Sequence, residues 1–168
     1  MHDASHSPGG TGRLFPDATL PVLAPQAGWT ITLDAFRPKS DLVMLMLGAD
    51  RVPREVVSLL DALTAERTDV EAEDGRVLAV TAADASADWR WPFPLLFDRD
   101  GRLHRRVGAV DAAGRPTVTL FTTDRYREIY GAMRPGDRTW PQTARDLIDW
   151  LVFANIQCPE CNPPESGW

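Results

Sequence analysis

The chain has 168 residues and a mass of 18.6 kDa, enough for one domain of ordinary size with short ends and too few for two. Hydrophobic residues make up 43% and charged ones 25%, a globular composition that excludes a wholly disordered chain. The formal net charge of −6 speaks against a duplex-DNA binder, and no apolar run approaches the ~20 residues of a membrane helix. The opening MHDASHSPGGTG lacks the apolar stretch of a secretory signal, and two cysteines make no disulfide framework, so a cytoplasmic location is expected. Lys39 is the single lysine among eighteen basic residues, a bias spread along the whole chain that fits a GC-rich coding genome better than a dedicated anion surface.

Residues 1–13 are polar and Gly-rich and are expected to form a flexible tail, residues 14–156 the folded domain, and residues 157–168 a second tail. Thr19 to Leu23 and Trp29 to Leu33 read as short strands joined by a turn at Pro25 to Gly28. Asp41 to Leu47, DLVMLML, is the most apolar stretch and suits a strand buried on both faces. Val56, Leu59, Leu60 and Leu63 then recur at helical spacing behind Pro53, which is suited to a first helical turn. Arg76 to Thr81 follows as a second buried strand, completing a βαβ unit.

Ala82 to Trp91 is a weakly patterned connector. PFPLLFDRDGRLHRRVGAV gives a short apolar piece, a turn and a helical piece ending near Gly108. Thr117 to Thr122 and Tyr126 to Ala132 read as a hairpin turning at Thr123 to Arg125. Ala144, Leu147, Ile148, Leu151 and Val152 mark a closing amphipathic helix. QCPECNPPESGW cannot continue it, since it carries three prolines.

This order of elements, with LFPDATLPVL and ITLDAF leading, LVMLML before the first helix, then PFPLLFDRDGRLHRRVGAV and GRPTVTLF, resembles the thioredoxin-like fold. In detail it resembles the peroxiredoxin-like branch, the alkyl hydroperoxide reductase/thiol-specific antioxidant (redoxin) group, over about residues 14 to 153. The resemblance implies an α/β fold, a three-layer α/β/α sandwich with a mixed central sheet and an N-terminal β extension. It also implies a cis peptide bond at Pro116, facing the reactive thiol, a geometry that an X–Pro bond adopts at a cost of only about 0.5–1 kcal/mol.

The place where such proteins carry their reactive cysteine reads Ala49-Asp50-Arg51-Val52-Pro53-Arg54. The spacing of W-C-x-P-C survives as D-R-V-P-R, with Arg51 and Arg54 where the sulfurs would stand. A helix N-terminus acidifies a thiol, but here it has no thiol to act on. Peroxidase or dithiol chemistry at that position is therefore expected to be lost, leaving a degenerate site of Arg51, Arg54 and Pro116. The same three-element geometry suggests an anion site: Arg51 and Arg54 at the helix start and Arg115 before the proline, with Asp50 and Glu55 partly neutralising them.

The remaining sulfur is in Cys158 and Cys161, as C-P-E-C. Three readings stand: a redox dithiol exchanging with a protein thiol or disulfide partner, half of a zinc site completed by a second copy or another ligand, or two inert thiols. Nothing in the spacing of His104 marks it as a further zinc ligand. In a thioredoxin-like fold the closing helix runs away from the active-site end, carrying the pair about 20–24 Å off. Beyond a helix C-terminus the thiolate is disfavoured, so ordinary thiols are expected.

The sequence thus points to a peroxiredoxin-like protein in which catalysis, if any, is thiol–disulfide exchange through Cys158 and Cys161 and needs no cofactor. The alternative is a non-catalytic binding module, with zinc bridging paired CPEC motifs of a homodimer as one form of it. Neither a nucleic acid nor a membrane is an expected partner. Trp89 and Trp91, in the irregular connector, are the tryptophans best placed for a partner surface; core packing is the default for all six.

Overall fold

The computed structural model describes residues 12–156. The two expected tails lie outside them, apart from Gly12 and Arg13, and so do Cys158 and Cys161.

Strands β1 (Thr19–Ala24) and β2 (Thr30–Thr32) form an antiparallel hairpin, followed by a 3-10 turn at Leu33–Phe36. Strand β3 (Asp41–Met46) leads into helices α1 (Arg54–Ala65) and α2 (Arg67–Ala72), and strand β4 (Gly75–Thr81) returns parallel to β3. Strand β5 (Leu95–Phe97), helix α3 (Arg102–Val107), strands β6 (Thr119–Thr123) and β7 (Ile129–Met133) and helix α4 (Ala144–Ile156) complete the order. The seven strands make one mixed sheet, β2-β1-β5-β4-β3-β6-β7. It is the α/β sandwich with an N-terminal β extension that the resemblance implies.

Every residue of β3 is buried because the strand has helices or hairpin on both of its faces. Successive side chains point to opposite faces, so Val43 and Leu45 pack against α1, α2 and α4 while Leu42, Met44 and Met46 pack against α3 and the β1–β2 hairpin. Val56, Leu59, Leu60 and Leu63 are the buried stripe of α1, as their spacing predicts. Each fully buried leucine of this kind contributes roughly 1.5–3 kcal/mol through burial.

Several boundaries differ from the sequence reading for local reasons. Strand β6 starts at Thr119, because Pro116 bridges to Val110 and the Thr117 N–H donates to Ala109 O. Strand β7 starts at Ile129, because Asp124 Oδ1 accepts from the Tyr126 and Glu128 N–H groups and draws residues 124–128 into a longer turn. Trp91 is not a surface residue: it is buried in the core, donates from Nε1 to Asp61 Oδ1 at 2.7 Å, and stacks edge-on against Trp89 at 4.8 Å between ring centroids. Trp89 is half-buried, packs on the same core and donates to Phe93 O, so the pair anchors the connector to α1 rather than facing outward.

Candidate functional site

At the C-terminal end of β3 the chain turns through Gly48 to Pro53 and enters α1. Two segments close on each other there. The Ala49 N–H donates to Pro116 O at 3.2 Å, and a Cβ on Gly48 would stand 3.4 Å from that same carbonyl, so glycine permits this approach. Pro53 is the N-cap of α1, and its carbonyl accepts from the Val56 and Val57 N–H groups. Pro116 thus faces the helix start, as expected. Its peptide bond does not have the expected form: the cis bonds among the described residues are Ala24–Pro25 and Arg37–Pro38.

Between these segments lies a cleft of about 340 Å3, lined among others by Asp50, Arg51, Asp111, Arg115, Pro116 and Arg134. Of the three arginines expected there, Arg51 and Arg115 line the cleft. Arg54 does not: it is the first helical residue after the Pro53 cap, exposed and outside the lining. Its place is taken by Arg134, just past β7, which the sequence reading missed. Chain distance hides it, because only the pairing of β7 with β6 brings residue 134 to the same end of the sheet as residue 51.

The arginines differ in how they are held. Arg115 is 72% exposed and is paired to Asp111, with Nε and a terminal nitrogen 3.0 and 2.9 Å from Oδ2. Asp111 is kept below the usual carboxylate range chiefly by the Arg115 backbone N–H on its Oδ1, with the Arg115 side chain and the Ala113 N–H adding to it against some desolvation. Arg134 donates to Gly108 O and Val110 O, each at 3.3 Å, while its buried Nε–H has no acceptor among the described residues. A buried donor left unpaired costs about 1–3 kcal/mol. Arg51 has no ion pair among the described residues.

Behind the loop, His104 of α3 is fully buried. Its Nδ1 lies 2.8 Å from Asp98 Oδ2 and its Nε2 2.9 Å from Leu47 O, so the ring ties α3 to the residue preceding Gly48. Burial pushes Asp98 up, but hydrogen bonds from the His104 ring and backbone N–H and from the Leu103 N–H prevail and hold it below its ordinary value. His104 is therefore committed to shaping the loop. Among the described residues no group of three or more His, Cys, Asp or Glu could hold a metal ion.

Helix α4 begins at the cleft end. Trp140 to Gln142, just ahead of it, border a hollow shared with Glu55 and Ser58 of α1. Thr143 and Asp146 cap it reciprocally: Asp146 Oδ2 accepts from the Gln142 and Thr143 N–H groups, and Thr143 Oγ1 accepts from the Asp146 N–H. At its far end Asn155 donates to Glu73 O and accepts from Arg125 at 2.8 Å, beside the start of β3 and β4. The helix therefore runs from the cleft end of the sheet to the opposite one.

The element order and the mixed sheet make the fold thioredoxin-like, in the form seen in peroxiredoxin structures. Among solved structures, Mycobacterium tuberculosis AhpC is similar with a TM-score of 0.70 at 22% identity, covering 88% of this chain and 98% of that one. Enterococcus faecalis AhpC is similar with a TM-score of 0.72 at 15% identity, over 94% of this chain and 98% of that one. Plasmodium yoelii thioredoxin peroxidase I follows at 0.68 and 11%, over 95% and 98%. No protein-family model matches the chain, and no curated protein matches it in sequence. At these identities the likeness concerns the fold. No helix among the described residues is long and apolar enough to cross a membrane.

Proposed function

We propose that this peroxiredoxin-like protein is a binding module that uses the former thiol position as an anion site, taking a carboxylate or phosphate carried by a small ligand or by a partner's acidic side chain. The observation that supports this most is one cleft lined by Arg51, Arg115 and Arg134, of which Arg51 has no ion pair among the described residues. Three guanidinium groups with the N-terminal end of the α1 dipole favour a negative ligand there. Peroxide reduction at the start of α1 has no thiolate to perform it.

The test is a titration with phosphate and with succinate at constant ionic strength, read as thermal stability. A saturable rise of a few degrees is expected, lost in Arg134→Met and kept in Arg54→Ala, since Arg54 lies outside the cleft. A midpoint indifferent to both anions removes the reading.

A second reading rests on the C-P-E-C spacing. Here one thiolate of Cys158 or Cys161 attacks a partner's disulfide and forms a mixed disulfide. The other thiolate then displaces the partner's second thiol, leaving a Cys158–Cys161 disulfide and a reduced partner, with two electrons and two protons transferred. A cytoplasmic location would keep the pair reduced between cycles. If zinc instead joins the CPEC motifs of two copies in a homodimer, metal analysis returns one zinc per two chains, and the thiols do not react without a chelator.

A further inference from the structure

On the far side of the molecule from the cleft, strand β4 has one open edge. The backbone alternates along it. Val80 O accepts from Leu47 N–H toward β3, whereas Ala79 N–H donates to Pro94 O and Thr81 O accepts from Asp98 N–H toward β5. By that alternation Val77 also faces the β5 side. Strand β5, however, pairs only from Ala79 onward. Below that point the chain ahead of β5 contains Pro92 and Pro94, which have no N–H to donate, and it turns off toward α1, where Trp91 donates to Asp61. The N–H and C=O of Val77 are left without a partner among the described residues.

What lies beside Val77 is a slot of about 640 Å3. Its floor is the edge of β4 from Gly75 to Leu78. One wall is α2, with Val70 and Arg67; the other is Trp29, Ile31 and Phe36 of the hairpin region; Phe93 closes the top. The lining is mostly apolar, and Trp29 is 50% exposed there. Arg76 also lines the slot, with its guanidinium on Gly75 O at 2.8 Å and no carboxylate partner among the described residues, whereas Arg67 is already paired to Glu71.

We propose that this slot is a β-strand addition site, receiving an extended segment of another protein in line with β5. The Val77 N–H and C=O supply main-chain pairing, the two walls receive alternate apolar side chains, and Arg76 selects a segment with a carboxylate at that level. Continuity with β5 sets the direction, because the incoming strand occupies the place β5 would fill if it began earlier. The charge match distinguishes this occupant from an uncharged apolar small molecule.

The test uses the full chain. Residue-resolved amide exchange is expected to show Val77 exchanging at least about tenfold faster than Leu78 and Ala79, whose N–H groups are paired. A Val77 amide as slow as its neighbours overturns the proposal, and if deletion of residues 157–168 then releases it, the slot belongs to the chain's own end. Selection from displayed random decapeptides is expected to return alternating apolar segments that carry an acidic residue and slow Val77 exchange when bound. Val77→Pro, which removes an N–H that pairs with nothing in the fold, weakens the binding of such a peptide by about tenfold or more. Arg76→Glu reverses the selected charge from acidic to basic, a change that a mere loss of folding cannot produce. Peptides without alternation, or binding untouched by both substitutions, overturn the proposal.

Discussion

Asp41 occupies the first position of β3, almost fully enclosed, and its Oδ2 has no hydrogen-bond partner among the described residues. Burial raises its pKa from 3.8 to about 6; Arg125 pulls it down, and Asp124 and Asp74 push it up. A carboxyl whose folded pKa lies above its unfolded one favours the fold while protonated. That contribution is complete below about pH 4 and is lost as the pH climbs through 6. At pH 7 the charged form therefore costs about 2–3 kcal/mol. Asp41→Asn is expected to stabilise the protein by that order at pH 7.5 and to have little effect at pH 4. Urea unfolding at the two pH values checks this, and an equal effect at both would show that the charge is not the cause.

Helix α2, strand β4 and helix α4 meet at Gly75, and the junction tolerates no side chain. A Cβ there would stand 2.6 Å from Leu151 Cδ1 and 2.9 Å from Val70 O, the latter a backbone atom that cannot swing away. Gly75→Ala is expected to cost about 1–3 kcal/mol by overpacking, read as a lower unfolding midpoint with an unchanged denaturant slope. Elements of this kind show how far the sequence could be read. The apolar run at Asp41–Leu47 and the stripe Val56–Leu63 were legible because periodicity reports burial directly. The start of β7 was not, because it depends on a buried carboxylate, Asp124, whose side chain outcompetes strand pairing for two N–H groups. Within the candidate site, Arg51 and Arg115 could be found because the helix start and the following β-turn are local features. Arg134 could not, since it arrives through strand pairing and is held by the carbonyls of Gly108 and Val110, more than twenty residues earlier.

At the scale of the whole molecule, the arginine cleft and the end of α4 lie at opposite ends of the strands. Helix α4 spans thirteen residues, about 20 Å, from its cap near α1 to Asn155 beside Glu73. From the level of Asp41 to Gly48 the sheet rises by about 23 Å, at roughly 3.3 Å per residue. Helix α4 thus carries the chain to the end of the sheet away from the cleft, and anion binding and thiol chemistry are expected to be independent unless a second copy brings them together. The double substitution Cys158→Ser with Cys161→Ser is accordingly expected to leave the phosphate-induced rise in unfolding temperature unchanged while abolishing any disulfide exchange. Loss of the anion response in a sample shown by light scattering to be monomeric would contradict the separation. The same loss confined to a dimeric sample would instead place one copy's thiols at its neighbour's cleft.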